Sequence, residues 1–173
     1  MIGSSGAGKT TVSAALARRL GSEHLELDSI HHLADWEPID PGALRSKVGE
    51  FVAGEAWVVD GNYSIVRDIV WARVDTVVFL DLPRWRVMTR LVPRTLRRTA
   101  LREELWNGNR ERWRNLVSTR PEQNLLLWSW TRHDLQRQRF AEAQADPAWS
   151  HIRFIRLASA GQIGRFVASV TPD

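Results

Sequence analysis

Gly3-Ser4-Ser5-Gly6-Ala7-Gly8-Lys9-Thr10 is the stretch of this 173-residue chain that decides its fold. It matches the pattern of Gly, four residues, then Gly-Lys-Ser/Thr, in which backbone N–H groups curl inward around phosphate oxygens. A helix pattern follows at once, from Thr11 to Leu20, and the amino end of a helix adds partial positive charge at the same point. The stretch therefore predicts a phosphate-binding loop at the head of a helix.

The last residues of the loop have side chains suited to a nucleotide. Lys9 is expected to reach the outer phosphates, and the hydroxyl of Thr10 is expected to bind Mg²⁺. A simple Gly/Ser turn before a helix does not explain Lys-Thr at these positions, so we expect ATP and Mg²⁺ to bind here. The residues expected to hold the nucleotide are Gly3, Ser4, Ser5, Gly6, Ala7, Gly8, Lys9, Thr10 and Thr11.

The composition predicts one ordinary soluble domain over residues 1–173. Apolar residues make up 43% and charged residues 25% of the chain, which is typical of globular proteins. The chain has no cysteine, which excludes disulfides, thiolate metal sites and cysteine nucleophiles. The sequence has neither an apolar run of membrane-spanning length nor the pattern of a signal peptide, so we expect a cytoplasmic protein.

Predicted strands alternate with predicted helices along the chain, which favours a parallel sheet covered on both faces. Strands are predicted at residues 24–28, 57–60, 75–81 and 152–157. Only Met1-Ile2 precedes the loop, so the first strand looks truncated and residues are expected to be missing upstream. Helices are predicted at 84–98 and 121–143, with helix, turn, helix between them, and a last helix capped by Ser159.

Three predicted strands end in aspartate, at the edge of the sheet where ligands bind in such folds. Asp60 is our candidate for the Mg²⁺ shell, acting through water because Mg²⁺ loses water reluctantly. Asp28 is the candidate base or orienting carboxylate for an acceptor hydroxyl. Either side chain also fits a plain cap or turn at a strand end. Asp81, in Asp-Leu-Pro, is expected to be structural.

Arginine is concentrated in residues 84–139, which hold fourteen arginines against five acidic residues. This segment fits a lid that closes over ATP, a nucleic-acid surface, or a solvated face paired with glutamates. The lid is favoured because the segment follows the strand at 75–81 and is able to hinge over the loop. The candidates for contact with phosphate are Arg94, Arg97, Arg98, Arg110 and Arg114; with Lys9 and Asp28, we expect Arg94, Arg98 and Arg114 to be catalytic.

The histidine pair and the many tryptophans are interpreted here as structural rather than functional residues. His31-His32 has no neighbouring residues that complete a metal site, so we interpret the pair as polar loop residues. Nine tryptophans are unusual for this length, and packing in the core is a simpler explanation than stacking on a base.

Five segments carry a resemblance that spans nearly the whole chain. They are Gly-Ser-Ser-Gly-Ala-Gly-Lys-Thr (3–10), Leu-Asp (27–28), Trp-Val-Val-Asp-Gly-Asn-Tyr-Ser (57–64), Val-Phe-Leu-Asp-Leu-Pro-Arg-Trp (78–85) and Arg-Thr-Leu-Arg-Arg (94–98). With them the chain resembles the adenylate kinase-like P-loop kinases, and among these the subgroup called DNA topology modulation protein or adenylate kinase-related.

The resemblance implies a five-stranded parallel sheet in the order 2-3-1-4-5, ATP on the loop and an arginine lid. It implies that Asp60 corresponds to the Asp of the Asp-Gly turn in adenylate kinases. It also implies that Asp28 corresponds to the Asp that holds the acceptor hydroxyl in shikimate kinase-like enzymes. The segment after the second strand does not resemble the helix that binds nucleoside monophosphate in adenylate kinases, which argues against AMP as the acceptor.

The function expected from these features is transfer of the γ-phosphoryl group of ATP to a hydroxyl or phosphate of a small molecule, such as a nucleoside or nucleotide. Two alternatives stay open at this point. One is a nucleotide-dependent regulator in which residues 84–139 bind nucleic acid. The other is a protein that binds ATP but no longer transfers phosphate. No membrane partner is expected.

Overall fold

Strand β4 (Thr76–Leu80) is the centre of a three-stranded parallel sheet in the computed structural model, which describes residues 1–171. It pairs with β1 (Ile2–Gly3) on one side and with β5 (Arg153–Leu157) on the other. Strands β2 (Glu23–Glu26) and β3 (Trp57–Asp60) form a second, two-stranded parallel sheet. The predicted mixed α/β architecture with parallel strands is therefore confirmed.

Alternate residues of β4 pack into two different hydrophobic clusters, as expected for a strand whose side chains point to opposite faces. Val77 and Phe79 belong to one cluster, and Val78 and Leu80 to the other. Helices therefore cover both faces of this sheet. The helices are α1 (Lys9–Leu20), α2 (Leu27–His31), α3 (Pro41–Val52), α4 (Ser64–Trp71), α5 (Arg84–Ala100), α6 (Trp113–Val117), α7 (Leu125–Ala145) and α8 (Ala160–Ser169).

Short connections complete the chain. Single 3₁₀ turns lie at Ala34–Trp36, Trp106–Gly108 and Pro147–Trp149. Ser159 caps α8 as predicted, because its Oγ accepts from the backbone N–H of Gln162 at 3.2 Å. Within residues 1–171, no helix combines the length and apolar character needed to cross a membrane.

Two backbone hydrogen bonds connect the first residue to the end of β3. The nitrogen of Met1 donates to the carbonyl of Val59 at 2.6 Å. The N–H of Gly61 donates to the carbonyl of Met1 at 3.1 Å. These two bonds are the backbone hydrogen bonds between the start of the chain and the end of β3, and β1 itself has only two residues.

Strand β2 ends earlier than the sequence predicts. It stops at Glu26, and Asp28 lies in the first turn of α2 rather than at the end of a strand. The chain curls here because the Ser29 hydroxyl donates back to the carbonyl of Glu26 at 2.7 Å. Leu27, 2% exposed, is at the same time buried in the core.

The segment at 99–120 is not the predicted pair of helices around a turn. Leu105 donates to Asn109 at 2.7 Å, and an antiparallel bridge joins Glu104 to Arg110, which makes a tight hairpin-like loop. Asn107 adopts a left-handed conformation with φ of 57°, which interrupts any helix there. Only the short α6 follows this loop.

The long helix predicted from residue 121 begins four residues later, at Leu125. Asn124 is the reason, because its side-chain oxygen accepts from the N–H groups of Leu126 and Leu127 at 3.0 and 3.2 Å. An asparagine in this position satisfies backbone donors that the first turn of a helix leaves unpaired. The helix then continues to Ala145.

Candidate functional site

The glycine-rich loop at residues 3–10 forms a tight backbone turn between β1 and α1. The N–H of Ala7 donates to the carbonyl of Ser4 at 3.1 Å, and Gly8 precedes the first helical residue with φ of 95°. That conformation is common only for glycine. The loop therefore leads directly into the amino end of α1, where helix N–H groups lack partners in the preceding turn.

Two helices hold the loop from outside. A Cβ atom at Gly6 would lie 3.0 Å from Cβ of Leu91 on α5, so α5 packs directly on the loop backbone. On α7, the hydroxyl of Ser129 donates to the carbonyl of Ser5 at 3.1 Å. The hydroxyl of Ser4 donates to the side-chain oxygen of Gln136, also on α7, at 3.2 Å. The loop conformation is thus fixed by packing as well as by its glycines.

Lys9 folds back over the loop. Its Nζ donates to the carbonyl of Ser4 at 3.3 Å. Burial lowers the pKa of the Lys9 ammonium below its usual value, and the nearby carboxylates of Asp28 and Asp60 oppose that shift. Lys9 is therefore a partly desolvated cation with one weak neutral acceptor, a setting in which an anion is attracted strongly.

Thr10, the other predicted side chain of the loop, is paired with a carboxylate that sequence reasoning missed. Its hydroxyl donates to Oε1 of Glu26 at 2.9 Å. The second oxygen, Oε2, accepts from the indole N–H of Trp106 at 3.0 Å. Glu26 is the last residue of β2, and its position two residues before Asp28 was the only signal for it in the sequence.

Asp28 and Tyr63 form a close pair beside this carboxylate. The Tyr63 hydroxyl donates to Oδ1 of Asp28 at 2.6 Å. Burial and then the charge of Asp28 raise the pKa of Tyr63 far above its usual value, so the phenol stays protonated and remains a donor. Asp28 also acts electrostatically on Lys9 and Arg94. The structure therefore brings Asp28 near the loop, although by way of α2.

The Asp60 carboxylate is buried and already has a side-chain partner. It is 2% exposed, and its Oδ2 lies 2.9 Å from Nε2 of His24. Over residues 1–171, no group of three or more His, Asp and Glu side chains is arranged to hold a metal ion. The Thr10 hydroxyl does fit Mg²⁺, since this ion is commonly held by one or two protein oxygens plus phosphate and water.

A cleft of about 310 Å³ opens beside the loop, between α1, α5 and α8. Arg94 and Arg90, both on α5, line it. The Nε of Arg94 is buried, and no hydrogen-bond partner for it occurs in the described part of the chain. Burial, followed by the charge of Arg98, lowers the pKa of Arg94. Arg90 was not among our candidates; a Cβ at Gly8 would lie 3.9 Å from it.

The other predicted arginines are placed differently. Arg98 lies one turn beyond Arg94 and faces Glu111, with 3.9 Å between Nη1 and Oε1. Burial raises the pKa of Glu111, while Arg98 and Arg94 lower it. Arg114 lies in α6, is exposed and does not line the cleft. Of the three arginines predicted to be catalytic, Arg94 is the one that lines the cleft beside the loop.

The tip of the arginine-rich segment is bonded to the loop that follows α2. We call residues 104–110 and their contacts with residues 29–36 the clasp. Asn107 Nδ2 donates to the carbonyls of Ser29 and His32 at 3.1 and 2.5 Å. Asn109 Nδ2 donates to the carbonyl of Leu33 at 2.7 Å, and its Oδ1 accepts from the N–H of Trp36 at 2.7 Å.

Asp81 pairs with two arginines, which agrees with the structural role expected for it. It is 2% exposed, and its Oδ1 accepts from Nε of Arg137 at 2.5 Å. Its Oδ2 accepts from Nε of Arg156 at 2.7 Å. The carboxylate therefore joins β4 to α7 and β5, rather than facing the cleft.

The nine tryptophans divide into three groups: three in or against the core, four that are exposed, and Trp36 with Trp106 in the clasp. Trp57 and Trp71 pack in or against the core, and so does Trp149. Trp85, Trp113, Trp128 and Trp130 are exposed, so core packing explains only part of the set. Trp106 belongs to the clasp, where its ring lies 6.1 Å from that of His32 in a stacked orientation.

Comparison with known protein families found no match for this chain, and comparison with curated proteins found no similar protein. The function of this chain is therefore inferred from its own residues and contacts.

Proposed function

We propose that this protein is a phosphotransferase that moves the γ-phosphoryl group of ATP to a small-molecule hydroxyl or phosphate. The observation that carries the proposal is the convergence of Lys9 and Arg94 on the glycine-rich loop. Lys9 is partly desolvated, and Arg94 has a buried Nε without a partner in residues 1–171. Two such cations beside a turn of backbone amides are suited to a polyphosphate.

The proposed reaction depends on position and charge rather than on covalent chemistry by the protein. The loop amides and Lys9 bind the phosphates, and Arg94 and Arg90 face them from α5. Thr10 supplies an oxygen to Mg²⁺, which neutralises charge on the phosphate oxygens when it is bound. Asp60 adds negative charge near Lys9 and stays our candidate for the outer Mg²⁺ shell.

Asp28 is proposed to orient the acceptor hydroxyl and to accept its proton. The Tyr63 phenol, 2.6 Å away, fixes the carboxylate without competing for protons, because its own pKa is raised. A carboxylate held by one donor keeps lone pairs for a second. The acceptor is then a small molecule that presents a hydroxyl to Asp28, such as a nucleoside, a nucleotide or another hydroxyl compound.

We also propose the P-loop sheet order 2-3-1-4-5 for the five strands. The bonds of Met1 with Val59 and Gly61 support it, because they put the start of β1 beside β3. The two sheets would then be halves of one sheet, with the loop near its middle. A cytoplasmic location, where ATP is abundant, suits this function.

The experiment is a screen of nucleosides, nucleotides, sugars and hydroxy acids for phosphorylation that depends on ATP and Mg²⁺. Lys9→Ala is expected to abolish product formation with any acceptor found. Lys47→Ala is the matched control, because Lys47 is the other lysine of the chain and is exposed on α3. Product formed equally by Lys9→Ala and the wild-type protein would contradict the proposal.

A second candidate function, binding of nucleic acid, is favoured by one observation. Three exposed tryptophans each have a guanidinium over the ring: Arg84 over Trp130, Arg86 over Trp85, and Arg132 over Trp128. Such pairs are able to stack on bases and contact phosphates. This candidate predicts affinity for single-stranded DNA that falls steeply with salt, and absence of binding at low salt would eliminate it.

A further inference from the structure

We infer that Trp106 is a positioning residue for the Thr10 hydroxyl, acting through Glu26. The inference rests on the proposed function, in which Thr10 supplies an oxygen to Mg²⁺. The basis is a chain of two hydrogen bonds. Trp106 Nε1 donates to Oε2 of Glu26 at 3.0 Å, and Thr10 Oγ1 donates to Oε1 at 2.9 Å.

The chain of bonds sets the direction of the hydroxyl. A threonine oxygen has one proton and two lone pairs. When the proton of Thr10 is directed at Glu26, the lone pairs face away from that carboxylate and are free for a cation. Partners behind a metal ligand commonly fix its orientation in this way.

Glu26 needs a second contact to do this. A glutamate side chain bonded at one oxygen still rotates about its terminal bond, and it then loses the shared direction. The indole N–H holds the other oxygen, so the two donors fix the carboxylate from both ends. Bonds of this kind to an ionised acceptor are stronger than neutral ones.

The clasp explains why Trp106 itself is well placed. Its neighbours Asn107 and Asn109 are tied to the carbonyls of residues 29–33, so the backbone on its C-terminal side is fixed. Its ring also lies 6.4 Å from that of Trp36 in an edge-on orientation. The indole is thereby oriented before any ligand binds, which reduces the entropy lost on forming the site.

Trp106→Phe distinguishes this role from a purely structural role of the tryptophan ring. Phenylalanine keeps an aromatic ring in the clasp and removes only the N–H donor. If Trp106 matters through its ring alone, Trp106→Phe leaves the dependence of ATP binding on Mg²⁺ unchanged. If it matters through Glu26, that dependence weakens while ATP binding without Mg²⁺ stays the same.

The experiment measures ATP affinity by calorimetry at a series of Mg²⁺ concentrations. Trp106→Phe is expected to raise the Mg²⁺ concentration that gives half of the full gain in ATP affinity by up to roughly 10- to 100-fold, the range for loss of the partner directly behind a metal ligand, which here is Glu26. Trp113→Phe is the matched control, since Trp113 is 57% exposed on the neighbouring α6. Equal Mg²⁺ dependence in Trp106→Phe and wild type would overturn the inference.

Glu26→Gln closes a double-mutant cycle. The inference predicts that Trp106→Phe adds little once Glu26 is replaced, whereas independent roles give additive losses. In the wild-type protein, the indole ¹⁵N–H resonance of Trp106 is also expected to move when Mg²⁺ is added to the ATP complex. A resonance that does not move overturns the inference even if Trp106→Phe fails to fold.

These outcomes separate the inference from the proposed function. If the wild-type protein binds no ATP at any Mg²⁺ concentration, the proposed function fails and the inference falls with it. If wild type binds ATP with Mg²⁺ dependence and Trp106→Phe behaves identically, only the role of Trp106 is overturned.

Discussion

The hydroxyl of Thr10 donates to Oε1 of Glu26 at 2.9 Å, across 16 residues of sequence. This bond links the glycine-rich loop to the end of β2, and the indole of Trp106 links β2 to the arginine-rich segment. The candidate site is therefore assembled from three separate parts of the chain. Single substitutions are therefore expected to affect phosphoryl transfer and nucleotide affinity separately.

Asp28 and Tyr63 are expected to affect transfer rather than nucleotide binding. Asp28→Asn removes the proton acceptor, so phosphoryl transfer should fall by about 10²-fold or more while ATP affinity changes little. Tyr63→Phe leaves the carboxylate without its donor and should lower transfer less. Initial rates and ATP titrations on the same preparations check this. Wild-type transfer rates in Asp28→Asn would remove Asp28 from the reaction.

Arg94 is expected to contribute to nucleotide affinity, and Arg114 is not. Arg94→Ala removes a buried guanidinium that lines the cleft, so ATP affinity should fall by about tenfold or more, the usual loss for a bond to a charged group. Arg114→Ala removes an exposed side chain and should change affinity less than about twofold. Calorimetry with Mg·ATP distinguishes them, and equal losses would mean that the cleft is not the nucleotide site.

The sequence predicted best those features that depend on neighbouring residues. The loop before α1, the buried strands β3 and β4, and the Ser159 cap all have strong local signals, and the structure has them where expected. The predicted end of β2 at Asp28 was wrong, and the strand ends at Glu26. The turn after Glu26 depends on the hydroxyl of Ser29 and on the burial of Leu27 in the core, which the local pattern does not reveal.

The functional residues that sequence reasoning missed are defined by distant contacts. Trp106 and Glu26 are 80 residues apart, and no spacing rule connects them. Arg90 lies on the same helix as Arg94, but only the packing of α5 on Gly6 shows that both face the cleft. Arg114 looked equivalent in the sequence because local charge does not reveal which side of a segment is buried.

Asp81 is expected to matter for stability. Asp81→Asn removes the charge that pairs with Arg137 and Arg156, and we expect the free energy of unfolding to fall by about 1–3 kcal/mol. Asp134→Asn is the control, since Asp134 is 73% exposed where it pairs with Arg84, and surface pairs contribute about 0–1 kcal/mol. Urea unfolding measures both, and equal effects would contradict the structural role of Asp81.

We expect His31 and His32 to lower the free energy of unfolding in mild acid. Burial lowers the pKa of each imidazole below its usual 6.5, so the unfolded chain binds protons more readily than the folded protein. The free energy of unfolding should therefore decrease as pH falls below about 6.5. In His31→Gln/His32→Gln this part of the decrease should disappear. Parallel unfolding curves for the two proteins from pH 7 to 5 would show that the histidines do not contribute.

Calorimetric titration of the folded wild-type protein with Mg·ATP tests the central claim most directly, with Lys9→Ala and Lys47→Ala beside it. We predict saturable binding to the wild-type protein and to Lys47→Ala, together with a rise in the thermal midpoint. Lys9→Ala should bind far more weakly, because the loop then lacks its desolvated cation. The absence of both heat and thermal shift with the wild-type protein would contradict the account.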